Sequence, residues 1–163
     1  MPSVPNKIVC VHDARGNRAA ALLHWGARLP LDSDFAPQLD ALRDLGRNPV
    51  QVTHLKGDGS AALMLQLIWE LVLEAEERHA TDIVIAVAPE RLPYYRKLCF
   101  RPLLDGRSWW DAAYDEEGRA LPVTVLRLAL DEVRNKCDSA ASLSAARRRA
   151  AEIQDARLAS ALP

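Results

Sequence analysis

Residues 81–88, TDIVIAVA, are continuously apolar apart from Asp82 and the leading threonine. A half-exposed strand alternates apolar with polar residues, so a run without alternation predicts a strand covered on both faces. That requires a central position in a sheet with helices packed above and below, an α/β or α+β architecture. The next residues are equally constraining. Pro89 suits the first turn of a helix, Pro93 delays its regular part, and the segment closes on Tyr94, Tyr95, Cys99 and Phe100.

The flanking segments supply the other elements. Residues 7–12 (KIVCVH) and 18–25 are separated by Asp13-Ala14-Arg15-Gly16-Asn17, which predicts a hairpin. Residues 26–37 carry Pro30, Pro37 and Asp32-Ser33-Asp34 and predict a connecting loop, followed by a short helix over 38–45 and a strand over 50–55. Across residues 60–79, Gln66, Glu70, Glu74 and Glu77 fall on one stripe of an otherwise apolar helix with Ser60 as its N-cap. Its apolar part is too short to span a bilayer and is broken by Gln66 and Glu70. Residues 123–130 (VTVLRLAL) give the last strand. From residue 135 the chain is rich in Ala, Ser and Arg, so a domain over residues 1–134 is followed by a tail over 135–163, with an exposed helix at 143–162.

The charge balance excludes one class of function. With 21 Lys+Arg against 22 Asp+Glu there is no broad basic footprint for nucleic acid. Cys10, Cys99 and Cys137 are odd in number and widely spaced, which predicts neither a disulfide framework nor a metal site and fits a reducing cytoplasm. The first residues, MPSVPNKIVCVHD, lack the apolar run of a secretory signal.

Candidate chemistry gathers in three places. Lys56-Gly57-Asp58-Gly59-Ser60 joins a strand to the long helix; its glycines permit a tight turn, and the amides up to Ala61 open a helix N-terminus, where the dipole favours an anion such as a pyrophosphate. Its plain alternative is a turn with no ligand. Tyr94 and Tyr95 can donate hydrogen bonds without unusual acidity, or one packs in the core while the other meets water. In QVTHL, His54 is a possible base, whereas Gln51 carries a neutral amide that cannot take a proton. Strand alternation puts Gln51 and Thr53 on one face and Val52 and His54 on the other. Cys99 reads as a small buried residue, Trp109 and Trp110 as a loop staple or an acyl-tunnel wall, and Arg147-Arg148-Arg149 as a solvated cluster or a contact for an acidic carrier protein.

The order strand, Gly-bearing loop, long helix, buried strand and helix ending YYRKLCF resembles the second half of the GNAT superfamily of N-acetyltransferases. LDALRDLGRNPVQVTHL, residues 39–55, is similar to the long-chain N-acyl amino acid synthase branch. The resemblance covers about residues 7–130 and implies a GNAT-like mixed central sheet with helices on both faces. It also implies an N-acyltransferase that moves an acyl group from acyl-CoA, or from the acyl-phosphopantetheine of a carrier protein, to an amine such as an amino acid, without a metal. On that likeness the donor lies along Val52 and Thr53, with its phosphates at Lys56, Gly57, Gly59, Ser60 and Ala61. Tyr95, by its spacing to Phe100, or Tyr94, by the longer spacing of the branch, would assist the leaving sulfur. Gln51 stands where related synthases commonly have Glu; His54, three residues on, is a candidate base on the opposite face and so no simple substitute for it. Gln51, Asp58 and Cys99 depart from the family pattern, and the chain starts after the family's usual first strand and helices. Those departures keep a non-catalytic GNAT-like binding or assembly module as the alternative, and a homo-oligomer or the tail helix as ways to complete the acceptor side.

Overall fold

The computed structural model describes residues 4–58, 60–103, 109–114, 117–118, 120–135 and 152–153. Seven strands among them form one mixed sheet: β1 (Asn6–His12), β2 (Arg18–His24), β3 (Pro49–Gly57), β4 (Asp82–Val87), β5 (Arg101–Pro102), β6 (Trp109–Tyr114) and β7 (Ala120–Ala129). The order is β1-β2-β3-β4-β7, with β5 and β6 both paired to β7. Only β3 and β4 run parallel, as their connection through a helix requires. The expected hairpin is β1–β2, in register from Asn6↔His24 to His12↔Arg18. β5 and β6 carry no alternation strong enough to mark them in the sequence, and β7 begins three residues before its apolar run.

Helix α2 (Ala61–Glu77) covers one face and buries Leu63, Leu67, Ile68, Leu71, Val72 and Ala75 against β1, β2 and β3. Each large apolar side chain removed from water there stabilises by about 1.5–3 kcal/mol. The opposite face is covered by α1 (Asp32–Asp44), whose Phe35, Leu39 and Leu42 pack on Val84 and Val125. Val84 therefore faces α1 while Ile83 and Ile85 belong to the α2 side, which is why β4 shows no polar alternation.

Helix α1 begins earlier than the proline-rich sequence indicates. Asp32, Ser33 and Asp34 form a first turn rather than a loop, with the Asp32 carboxylate accepting from the Leu29 amide at 2.6 Å. Phe35 then breaks the helix (φ −125°, ψ 25°), and Pro37 sits just after that break, where its missing N–H has no preceding turn to disrupt.

Helices α1, α2 and α3 (Leu92–Lys97) end alike. A residue in the left-handed region follows the C-cap, and the next amide reaches back to close the last turn: Arg47 to Leu42, Ala80 to Ala75, and Phe100 to Tyr95. Glycine fills the left-handed position once, at Gly46 (φ 75°); His79 (φ 54°) and Cys99 (φ 67°) fill it elsewhere. A further short helix, α4 (Leu130–Asn135), follows β7. The expected tail helix over 143–162 lies outside the described residues except for 152–153, which are helical. No helix among the described residues is long and apolar enough to cross a membrane.

Candidate active site

The β3–β4 ladder lasts four residue pairs, from Pro49↔Asp82 to Val52↔Ile85. Beyond it β3 continues to Gly57 and β4 to Val87, so two neighbouring strands separate in the middle of the sheet. The cause lies on the other side of β3. Leu22 pairs with Thr53 but Ala20 pairs with Lys56, a step of two on β2 against three on β3. That extra residue is a β-bulge, which bends its strand away from its neighbours. His54 sits in it with φ 53°.

The separated strands enclose a cleft of about 700 Å³. One wall is β3 and the start of α2: Val52, Thr53, His54, Leu55, Lys56, Gly57, Ser60, Ala61 and Met64. The other is the end of β4 and the segment after it: Ile85, Ala86, Val87, Ala88, Arg91, Tyr94 and Tyr95. Ser60 caps α2 as expected, its hydroxyl accepting from the Leu63 amide at 3.3 Å. Gly57 is needed for close approach. A Cβ there would lie 2.9 Å from the Met64 methyl and 3.2 Å from the Ala19 Cβ.

Tyr94 and Tyr95 meet edge to face with centroids 5.3 Å apart, and Tyr95 meets Phe100 in the same way at 5.3 Å. Tyr95 and Phe100 are buried in the main core. The Tyr94 hydroxyl is buried and has no hydrogen-bond partner among the described residues. Burial pushes the Tyr94 phenol above its ordinary pKa, against a smaller opposing pull from Arg91. Burial, then Tyr94, push Tyr95 the same way. Both stay protonated donors at neutral pH.

The bulge overturns the expected alternation at His54. Its ring swings to the Thr53 hydroxyl, with Nδ1 3.0 Å from Oγ1. Gln51 does not line the cleft; it is buried on the α1 side, and its Oε1 accepts from the Leu31 amide at 2.8 Å. Gly59 and the side chains of Trp109 and Trp110 lie outside the described residues, as do Cys137 and Arg147-Arg148-Arg149. Cys99 is disulfide-bonded, which corrects the reading that the cysteine spacing predicts no disulfide, while Cys10 is free and exposed. Arg91 went unnoticed in the sequence because it falls between two prolines in a segment that reads as a helix start. The three-residue 3₁₀ turn Pro89–Arg91 is what brings it to the cleft.

These walls offer backbone groups of β3 freed from the β4 ladder, two cations in Lys56 and Arg91, and buried phenols on the facing wall. They can hold an extended ligand that carries an anion at one end and a reacting group beside Tyr94. Among the described residues no cluster of His, Cys, Asp and Glu is placed to hold a metal ion.

The family model for the N-acyl amino acid synthase FeeM matches residues 4–114. Among solved structures, FeeM, an N-acyl amino acid synthase from uncultured soil microbes, aligns with 21% identity and a TM-score of 0.64, over 75% of this chain and 68% of that one. The CoA-dependent acyl-homoserine lactone synthase BjaI aligns with 14% identity and a TM-score of 0.52, over 77% of this chain and 58% of that one. No curated protein matches the chain significantly. The fold is GNAT-like, with the sheet parting at the bulge in β3, and the chain belongs to the family of the N-acyl amino acid synthase FeeM.

Proposed function

We propose that this chain is an N-acyltransferase that takes an acyl group from a thioester and gives it to the amine of a small molecule such as an amino acid, with the reaction in the β3–β4 cleft. The observation that carries the reading is the Tyr94 hydroxyl, a buried donor without a partner on the wall of the cleft that β3 opens. The amine lone pair attacks the thioester carbonyl, the tetrahedral intermediate collapses, and the C–S bond breaks. The products are an amide and a thiol, and the amine gives up one proton.

Tyr94 serves that step as a hydrogen-bond donor to the departing sulfur. An alkyl thiol titrates near 8.5 and an ordinary phenol near 10, so full proton transfer to the thiolate is uphill by at least about 2 kcal/mol. Burial raises the phenol further. The hydrogen bond lowers the barrier while the proton stays on oxygen, and the thiol takes its proton from the amine by way of water. Tyr95 holds the Tyr94 ring through their edge contact.

Val52, Thr53 and the freed backbone of β3 support the thioester arm. Lys56 and Gly57 at the end of β3, with Ser60 and Ala61 at the start of α2, support its phosphate end, with Arg91 as the second cation. The donor is coenzyme A or the phosphopantetheine of a carrier protein; BjaI is described as CoA-dependent and holds isopentyl-CoA. We place the reaction in the cytoplasm, where a disulfide at Cys99 would be reduced.

The test is native mass spectrometry of the full chain with acetyl-CoA, a long-chain acyl-CoA and acylated carrier protein in turn, followed by incubation with mixed amino acids. Retention of one donor and appearance of its N-acyl product are expected. Folded protein that retains none and forms no product would refute acyl transfer and favour a non-catalytic module.

A further inference from the structure

On the β3 wall of the cleft, Thr53 joins His54 to His24 of β2 in one hydrogen-bonded row. Thr53 Oγ1 lies 2.7 Å from Nε2 of His24 and 3.0 Å from Nδ1 of His54. A hydroxyl has one proton and two lone pairs, and the described residues offer the Thr53 proton no acceptor outside these two rings, so Thr53 donates to one ring and accepts from the other. Which way it points is decided at His24. That residue is only 8% exposed, and its Nδ1 is buried with no partner among the described residues. Burial, with the neighbouring His54, lowers the His24 pKa, so the ring is neutral and carries one proton.

If Thr53 donated to Nε2 of His24, the His24 proton would sit on Nδ1 as a buried N–H with nothing to bond. A buried donor left unmet carries its full desolvation penalty, and orphaned N–H groups are rarer in proteins than unmet acceptors. With the proton on Nε2, His24 donates to Thr53, its bare Nδ1 is the lesser defect, and Thr53 donates to Nδ1 of His54. His54 then bears its own proton on Nε2, the ring nitrogen that the row leaves free for a ligand.

We infer that His24 and Thr53 are positioning residues that lock His54 in its Nε2–H tautomer, making it a hydrogen-bond donor to the cleft and removing it as the base for the incoming amine. The backbone agrees with a fixed ring. At φ 53° a residue with a Cβ is strained, and such strain persists only where the surrounding structure over-determines it. The use of the donor rests on the acyl-transfer reading, whereas the tautomer does not. In that reaction the N–H is available to the thioester carbonyl oxygen, where negative charge grows as the amine attacks. The amine then reaches the carbonyl already neutral, having lost its ammonium proton to water.

Nitrogen-15 correlation spectra of the imidazole rings test this on the full chain without substrate, at about pH 8, above the ordinary imidazole range. The chain has four histidines, so single substitutions assign the signals. A bare Nδ1 and a protonated Nε2 on His54 are expected, with Thr53→Val returning the ring to the two-tautomer average of free histidine. A wild-type His54 with a protonated Nδ1 would overturn the inference, as would an averaged ring in the wild type or a Thr53→Val spectrum unchanged from it. The wild-type spectrum decides alone if Thr53→Val does not fold. In turnover, His54→Phe should lower kcat about 10²-fold. An Nε2–H tautomer in a protein that transfers no acyl group would count against the reaction and leave the lock standing.

Discussion

Tyr94→Phe should make the protein more stable and less active at once. The substitution deletes one oxygen and keeps the ring whose edge meets Tyr95. That oxygen is buried without a partner among the described residues, and an unmet buried polar group costs about 1–3 kcal/mol. Tyr94 as a whole is only half-buried, so the gain belongs at the low end, about 1 kcal/mol. For a chain of this length that raises the melting temperature by about 2–4 °C. The same oxygen is the proposed donor to the leaving sulfur, and loss of one such donor costs about 10²-fold in kcat. Thermal unfolding followed by circular dichroism reads the first effect, and thiol release during acyl transfer reads the second. Tyr95→Phe is the control, with its ring held between Tyr94 and Phe100 and its rate near wild type. A Tyr94→Phe protein that melts lower, or that turns over at the wild-type rate, refutes the assignment; a rate loss confined to Tyr95→Phe moves the role to Tyr95.

Two further predictions concern the frame. Cys99→Gly and Cys99→Ala both remove the sulfur, but only glycine adopts φ 67° freely, so the Gly variant should be more stable by about 1 kcal/mol in denaturant titration, and equal midpoints would show that the left-handed cap carries no strain. Asp82 is fully buried; desolvation pushes its pKa up, but hydrogen bonds from Arg47, Thr81 and Arg127 outweigh that and leave it below the ordinary carboxylate value. A depressed folded pKa means that the stabilisation is present above about pH 4 and is lost as pH falls through the folded value. Asp82→Asn should therefore cost about 3 kcal/mol at pH 7, the low end for a broken buried pair because Arg47 and Arg127 are partly exposed, and should flatten the acid limb of the stability curve. An acid limb as steep as that of the wild type would show that Asp82 does not cause it.

Period and punctuation made most of the frame legible from residues alone. The unbroken run in β4 announced cover on both faces, and Val84 packing on α1 while Ile83 and Ile85 join the α2 side is that cover. Ser60 announced the start of α2. The start of helix α1 is hidden in the sequence because Pro37 normally excludes a helix, and only the break at Phe35 makes room for it. At the cleft, proximity in sequence marks Tyr94, Tyr95, Lys56, Gly57 and Ser60, all of which line it. Strand alternation misled at His54, since a bulge depends on pairing with β2 and leaves no mark within QVTHL itself. His24 was invisible for the same reason. Nothing in its own segment connects it to Thr53, which is 29 positions away and becomes its neighbour only when β2 and β3 pair.

The closed and open ends of β3–β4 explain each other. Each ladder bond lost exposes backbone groups that need partners, so the opening between β3 and β4 has to stop where the pairing is held most firmly. Here the first pair, Pro49↔Asp82, sits at the Asp82 clamp, where Arg47 from the turn before β3 and Arg127 from β7 converge on one carboxylate. Arg47 also reaches Asp131 in α4, so the clamp ties together the start of β3, the start of β4, β7 and the helix after it. Four pairs later the bulge at His54 opens the sheet. A buried charge cluster adds little net stability, but removing one partner is strongly destabilising because a buried charge is left uncompensated. At this position it keeps the opening confined to the end where the tyrosines and the histidine row stand.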